Sequence, residues 1–504
     1  DLPAYIDAFG DSELAFKKAY QALLNNPDHV TLDLAGRKVA LREPVDMQAA
    51  VGNRTTYNQR HVIQNGQFAV FATPAFDTEV VTSQATYNPD SAVKELTGVV
   101  NVANVPVGAL VEGSGVGREV YVTARNVAAG RITISQPLFD AAGTQVFTFR
   151  RFKYMLDFSG FQAISRMVFS EVDFRCVGDC SGVLLPPQGS ANHFRDCFIT
   201  RPKDRGITSH GNGDQGMLID RCQFLSDEAP LLVSERHTIG FNANANDLKV
   251  RDNRATFFRH FAVMAGSSSL ISGNHVFQGD SASGGVRSAG WVLTRTNNRG
   301  TINGNYIDNC FIEWGNEHDH APDFASEFSF SALSITGNVF LASDMAPWFT
   351  YITIKPHGPG HFINGMTVTG NNFRIIGSID RVETVDTSFA DLDYDRVRNI
   401  TFAENSFHNV DIHAESPLVM AHVEASAEAA WVVTPAPRLP FGAWAQVVES
   451  VLPEGALRDS SGNPVHVSPY FEARQGPGND RVNLRWPQAV SGKVIVRVRI
   501  DDAL

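Results

Sequence analysis

Residues 301–307 read Thr301-Ile302-Asn303-Gly304-Asn305-Tyr306-Ile307. The pattern returns as Ser334-Ile335-Thr336-Gly337-Asn338-Val339-Phe340 and again as Thr367-Val368-Thr369-Gly370-Asn371-Asn372-Phe373. Each copy places a short residue three positions after one apolar residue and two before another. Outward from this stretch, the short position is held by Val172, Cys197, Cys222, Asn253, Asn274, Asn305, Asn338, Asn371 and Asn405. The residues three before it are Phe169, Phe194, Ile219, Val250, Ile271, Ile302, Ile335, Val368 and Phe402. Those two after it are Phe174, Ile199, Phe224, Ala255, Val276, Ile307, Phe340, Phe373 and Phe407. All of these flanks are apolar. A repeat of some 21 to 34 residues signals a solenoid. The strand-like alternation, with Gly-Asn at a corner that needs positive φ, predicts an all-β chain folded as a right-handed parallel β-helix. The short residues then stack inward in a column, Cys first and Asn later, and the Asn amides bond to one another. A leucine-rich horseshoe would need dense Leu at fixed spacing, which is absent.

The ends depart from the repeat. Ser12–Asn25 places Leu14, Ala15, Lys18, Ala19, Ala22 and Leu23 at helical spacing behind Asp11, predicting a helix that caps the open end of the solenoid. Val30 to Leu41 reads as the first strands. The expected divisions are residues 1–86 for the cap and first coils, 87–150 for an inserted small β module, 151–425 for the main helix, and 426–504 for a C-terminal β domain. The Pro-rich run Thr434–Pro440 reads as the linker to that domain, and Lys493–Ile500 alternates as a strand with one wet face.

Composition narrows the function. Of 504 residues, 43% are apolar and 19% charged, which excludes a disordered chain. The 42 Lys and Arg against 54 Asp and Glu give a net charge of −12, which argues against nucleic acid or anionic lipid as partner. No apolar run reaches the ~18 residues of a membrane span. Five cysteines, an odd number, read as buried thiols rather than a disulfide framework or metal site. No cofactor and no metal are expected.

The helix of Ser12–Asn25, the strands of Val30–Leu41 and the Gly-Asn coils resemble the pectate-lyase-like β-helix superfamily over roughly residues 5–425. The order of cap, β-helix, inserted module and C-terminal β domain is similar to phage tailspikes and capsule depolymerases, and to the head spikes of phage-like gene transfer agents. That resemblance implies recognition of bacterial surface (capsular) polysaccharide, a homotrimer, an extracellular place on a virion or phage-like particle, and attachment through a segment upstream of Asp1; a secreted protein is the alternative. Neither a pectate-lyase calcium cluster nor a polygalacturonase paired-Asp signature is present.

A β-helix repeats equivalent positions along its axis, which suits a polymer. Residues at or beyond the ends of the second strand, the one that follows the loop after each ladder position, are therefore the candidates. Glu235 and Glu313 offer paired carboxylates for a glycoside hydrolase, and Lys355 and His237 offer a cation and a base for a lyase. Trp314 offers a stacking face, with Arg295, Arg236, His210, Glu317 and His357 as further sugar-binding groups. The expectation is one exposed strip on successive coils, used for binding or, alternatively, for polysaccharide cleavage.

Overall fold

The computed structural model describes residues 1–324 and 329–501. Its body is a parallel β-helix with two sheets meeting at the Asn corner and a ten-stranded third sheet opposite. The flanks stack in register: Ile302 pairs with Ile335, Ile335 with Val368, and Val368 with Phe402. Ile307, Phe340, Phe373 and Phe407 do the same in the neighbouring sheet. All are buried except Phe407, half-buried on the last coil.

The corner is set by backbone conformation. The residue before each short position has positive φ: Glu171, Asp196, Arg221, Asp252 and Glu404, and glycine at 273, 304, 337 and 370. Glycine adopts that conformation without the steric cost an L side chain bears. Past the corner the buried Asn side chains form a continuous chain. Nδ2 of Asn274 donates to Oδ1 of Asn305, Asn305 to Asn338, and Asn338 to Asn371, each at 2.9 Å. The same Oδ1 atoms accept from the backbone N–H one coil back, as from Asn305 at 2.9 Å and Asn338 at 3.0 Å. Each Nδ2 also donates to a backbone carbonyl, for instance Asn338 to Ile302 at 3.0 Å. The change from Cys to Asn is joined by the Cys222 N–H donating to Asn253 Oδ1. All five thiols are free and buried.

Helix Ser12–Asn25 closes the N-terminal end, capped by Asp11 accepting from the Leu14 N–H at 2.8 Å. Its buried face is Ala15, Phe16, Ala19, Tyr20 and Leu23 rather than one including Leu14, which is exposed. Ser12 Oγ and Glu13 accept backbone N–H groups of Ala40 and Arg42, so the helix satisfies the first coil's edge as well as covering it.

The inserted sheet runs from Glu79 to Arg151, wider than the 87–150 read from the break in the repeat, because its long hairpin strands Glu79–Tyr87 and Gly143–Arg151 pair along their full length. It has its own core. The C-terminal sheet begins at Leu418, within the last coil, since Leu418–Val433 pairs with Arg481–Arg499. Thr434–Pro440 is not a free linker. Leu439, Pro440 and Phe441 are buried, and Arg381 and Glu383 of the last coils bond to Leu439 O and Phe441 N, so the segment helps close the C-terminal end. In the final strand Val494, Val496, Val498 and Ile500 are buried, as the alternation predicts.

Replacing Asn338 by Leu leaves the backbone N–H of Asn305 without its acceptor and removes one acceptor of the Asn305 amide. It also takes the side-chain donor from Asn371 Oδ1, which keeps only the backbone N–H of position 338. The expected loss is about 1–3 kcal/mol, read by chemical denaturation. Unchanged stability would remove the ladder from the account of the fold.

Candidate functional site

Strands alternate their side chains between faces, and this decides what the third sheet offers. In Phe311–Gly315, Phe311 and Glu313 face outward, while Ile312 and Trp314 pack into the core. Glu313 pairs in register with Thr353, and Thr353 with Thr384, making an outward polar row. Beside it lie Ile239, Val263, Ala289, Val292 and Phe311, an outward apolar patch.

Two walls turn this face into a groove. One is the inserted module. Leu110, Tyr121 and Phe152 pack on Tyr154 and Leu184. Glu119 pairs with Arg205 at 2.7 Å, both buried, and also accepts from the Tyr121 hydroxyl. Arg118 reaches two carboxylates, Glu313 and Glu317, the latter at 2.8 Å. Its carbonyl accepts from His318 Nε2, whose Nδ1 meets Thr294 Oγ1, so His318 is a structural link. Gly117 permits this approach: a Cβ there would lie 2.8 Å from the Glu317 carbonyl oxygen. The other wall is the loop before Ala289. Asp280 and Arg287, their side chains buried and 2.6 Å apart, pin it to the Val233 N–H and to the carbonyls of Ser343 and Asp344. Between the walls lies a cleft of about 580 Å³. It shares Val286, Arg287, Phe311 and Glu313 with a second of about 350 Å³ bordered by Trp348, Thr350, Thr353, Thr384 and Asp386. Together they run along the stacking direction.

The sequence-predicted residues do not form a single strip. Glu313 lies on the groove floor and Glu317 is buried behind it. Burial alone would raise the Glu313 carboxyl, but Arg118 overrides it and holds it below the usual carboxylate range. His237 borders the cleft, its Nδ1 2.7 Å from Glu228; this bond raises its pKa against burial. Glu235 is exposed on the same turn. Lys355 pairs with Asp386 at 2.8 Å and sits over the Phe389 ring. His357 packs between Phe139 and Phe389. Arg295 is exposed past the far end of its strand and donates to Gln136 of the inserted module at 2.7 Å.

Three expectations are corrected. Trp314 is buried, edge-on to Phe330, with Nε1 donating to Arg295 O; it follows the outward Glu313 and so must face inward. Arg236 is buried and donates to the carbonyls of Glu228, Leu231, Gln278 and Gly279, tying two loops together. His210 is buried, and desolvation pushes its pKa down to about 4, so it is a neutral interior side chain. None of the three is available to a ligand. The exposed aromatic bordering the groove is Trp348, at 74% exposure, in the loop Ala346-Pro347-Trp348-Phe349. Its signal was a tryptophan after proline outside the repeat. Arg118 is marked in sequence only by the glycine-rich run Gly113–Gly117 before it.

No family model matches the chain, and no curated protein matches it. Among solved structures it is similar to the tailspike protein gp49 of Pseudomonas phage LKA1, at 12% identity and TM-score 0.33, covering 98% of this chain and 93% of that one. It is also similar to a tailspike protein of E. coli bacteriophage HK620 in complex with a pentasaccharide, at 13% and 0.41, covering 97% and 90%. A third is PfbA, a surface adhesin of Streptococcus pneumoniae, at 12% and 0.38, covering 80% and 89%.

Arg118→Ala removes the cation that Glu313 and Glu317 share. A loss on the order of 3 kcal/mol at neutral pH is expected from breaking such a pair, read by thermal unfolding. Because Arg118 lowers the folded-state pKa of Glu313, its contribution is present above the unfolded value of ~4.3 and fades as pH falls through the folded one. The difference between variant and parent should therefore shrink as the pH falls below the unfolded value and through the lowered folded one. A pH-independent gap, or none, contradicts the clamp.

Proposed function

We propose that the chain recognises a bacterial surface polysaccharide along this groove, as a spike of a phage or phage-like particle acting outside the cell. The observation that carries the reading is the groove itself: it follows the solenoid axis across successive strands, so a chain molecule can meet new side chains about every 4.8 Å. Trp348 supplies an exposed ring for a sugar face, and Thr350, Thr353, Thr384 and Glu313 supply groups for hydroxyls. The particle-borne role rests on the resemblance in domain order, with attachment through a segment upstream of Asp1.

Recognition is favoured over cleavage by the state of the charged groups. Glu313 and Glu317 share Arg118, Lys355 is held by Asp386, and His237 by Glu228. A glycoside hydrolase needs one carboxyl kept protonated beside an ionised one. The groove carboxylate Glu313 is held ionised instead, suited to accepting sugar hydroxyls.

A homotrimer is part of the proposal. The outward face of the C-terminal sheet carries Val419 and Val423 with Leu452 across the intervening strand, all at least 47% exposed. Covering such a face with two further copies would remove it from water. Light scattering at micromolar concentration should give a mass near three chains, and Leu452→Glu with Val423→Glu should lower it to one. A single-chain mass for the parent removes the trimer.

Trp348→Ala should weaken binding to extracted capsular polysaccharide by about 0.5–1.5 kcal/mol, the worth of a stacked ring, with the melting temperature unchanged. Parent-like affinity would move the binding surface elsewhere. Incubation with the same polymers should yield no new reducing ends; their appearance would favour the enzymatic reading.

A further inference from the structure

The groove walls carry several cations, and nearly all are matched. Arg205 pairs with Glu119, Arg287 with Asp280, His237 with Glu228, and Arg118 with both Glu313 and Glu317. Arg259 is different. It is exposed on the wall of the larger cleft, and its Nη1 donates only to the carbonyls of Ser234 at 3.4 Å and Arg236 at 3.1 Å. Among the described residues, no carboxylate lies within ion-pair distance of it. Those two carbonyls orient the guanidinium without pairing its charge, and Ser234 and Ser288 line the same cleft.

The rest of the groove has the opposite bias. One Arg118 charge faces two carboxylates, so the floor around Glu313 keeps a net negative charge. At the far end Lys355 is neutralised by Asp386, and the wall is Trp348, Phe349 and threonines. An anion is thus attracted at one end, repelled in the middle, and, among the described residues, offered no free cation at the other.

Resting on the polysaccharide reading above, we infer that the groove is polar along its length and takes an acidic heteropolysaccharide in one direction. A carboxylated sugar sits at Arg259, and neutral sugars sit over Glu313 and against Trp348. Arg259 heads the strand His260–Met264, and Trp348 precedes Ile352–Lys355, three strands further along the sheet. At the strand spacing that is about 14 Å, room for a short run of sugars between the two contacts. A guanidinium reads a planar carboxylate by two parallel hydrogen bonds, a geometry a primary alcohol cannot match.

The test uses the full chain and a panel of polymers that alternate a uronate with a neutral sugar. Each is presented intact and after reduction of its carboxyls to alcohols. The expected result is tenfold or greater loss of affinity on reduction, steeper salt dependence for the intact polymer, and a preference abolished by Arg259→Gln. Trp348→Ala should weaken both forms alike, and both variants should melt with the parent. If reduced and intact polymers bind equally while Trp348→Ala still weakens them, the acidic specificity is wrong and the groove stands. The acidic specificity is equally wrong if Arg259→Gln keeps the preference. If no polymer binds, or neither variant alters binding, the groove reading itself is overturned.

Discussion

The structure depends on a corner that must be turned once per coil. A residue with positive φ turns the chain, and the next side chain is thereby driven into the interior, where only a small or self-satisfying group can sit. Near the N-terminal end, that group is apolar or a thiol. Further along it is asparagine, whose amide has two donors and two lone pairs, enough to bond forward, backward and to the backbone. A single buried amide would be costly; a column of them in register is not, because each supplies what the next lacks. The register this enforces also aligns the apolar flanks of every coil.

That alignment has a second effect on the opposite sheet. Because consecutive strands stack in register, whatever faces outward in one coil lies beside its counterpart in the next. The face becomes a groove only because the inserted module is held over it by the buried Arg205–Glu119 pair and the half-buried Arg118 clamp, and because Asp280–Arg287 fixes the facing loop. Buried pairs of this kind add little net stability over apolar packing, but they tolerate few alternative arrangements. They set the width and position of the groove more than the strength of the fold.

The charged groups that hold the walls are also the ones sequence reading would nominate for chemistry. Glu313, Glu317, Lys355 and His237 each have a partner of opposite charge. What is left open to a ligand is a smaller set, chiefly Trp348, Arg259, the wall hydroxyls and the outward edge of Glu313. Such a surface offers many modest contacts rather than one strong one, and the acidic net charge of the chain gives no long-range attraction to an anionic partner.

The repeat spacing, the apolar flanks and the Gly-Asn corners were enough to determine the β-helix and the inward Asn column. The helical spacing behind Asp11 determined the cap, and the break in the repeat and strand alternation the two additional β units. Those features are local and periodic, and period-2 alternation with left-handed corners is written directly in residue type. The sequence also contained the fate of Trp314: directly after an outward Glu313 it had to face the core. Which charges meet was not legible. Arg118 lies 195 residues from Glu313, and Arg205 86 from Glu119. Nothing in the spacing reveals that the inserted module folds back across the third sheet. Side-chain pairing over such separations, and therefore which groups are spent on structure and which remain for a ligand, is decided only when the coils are stacked and the module is docked.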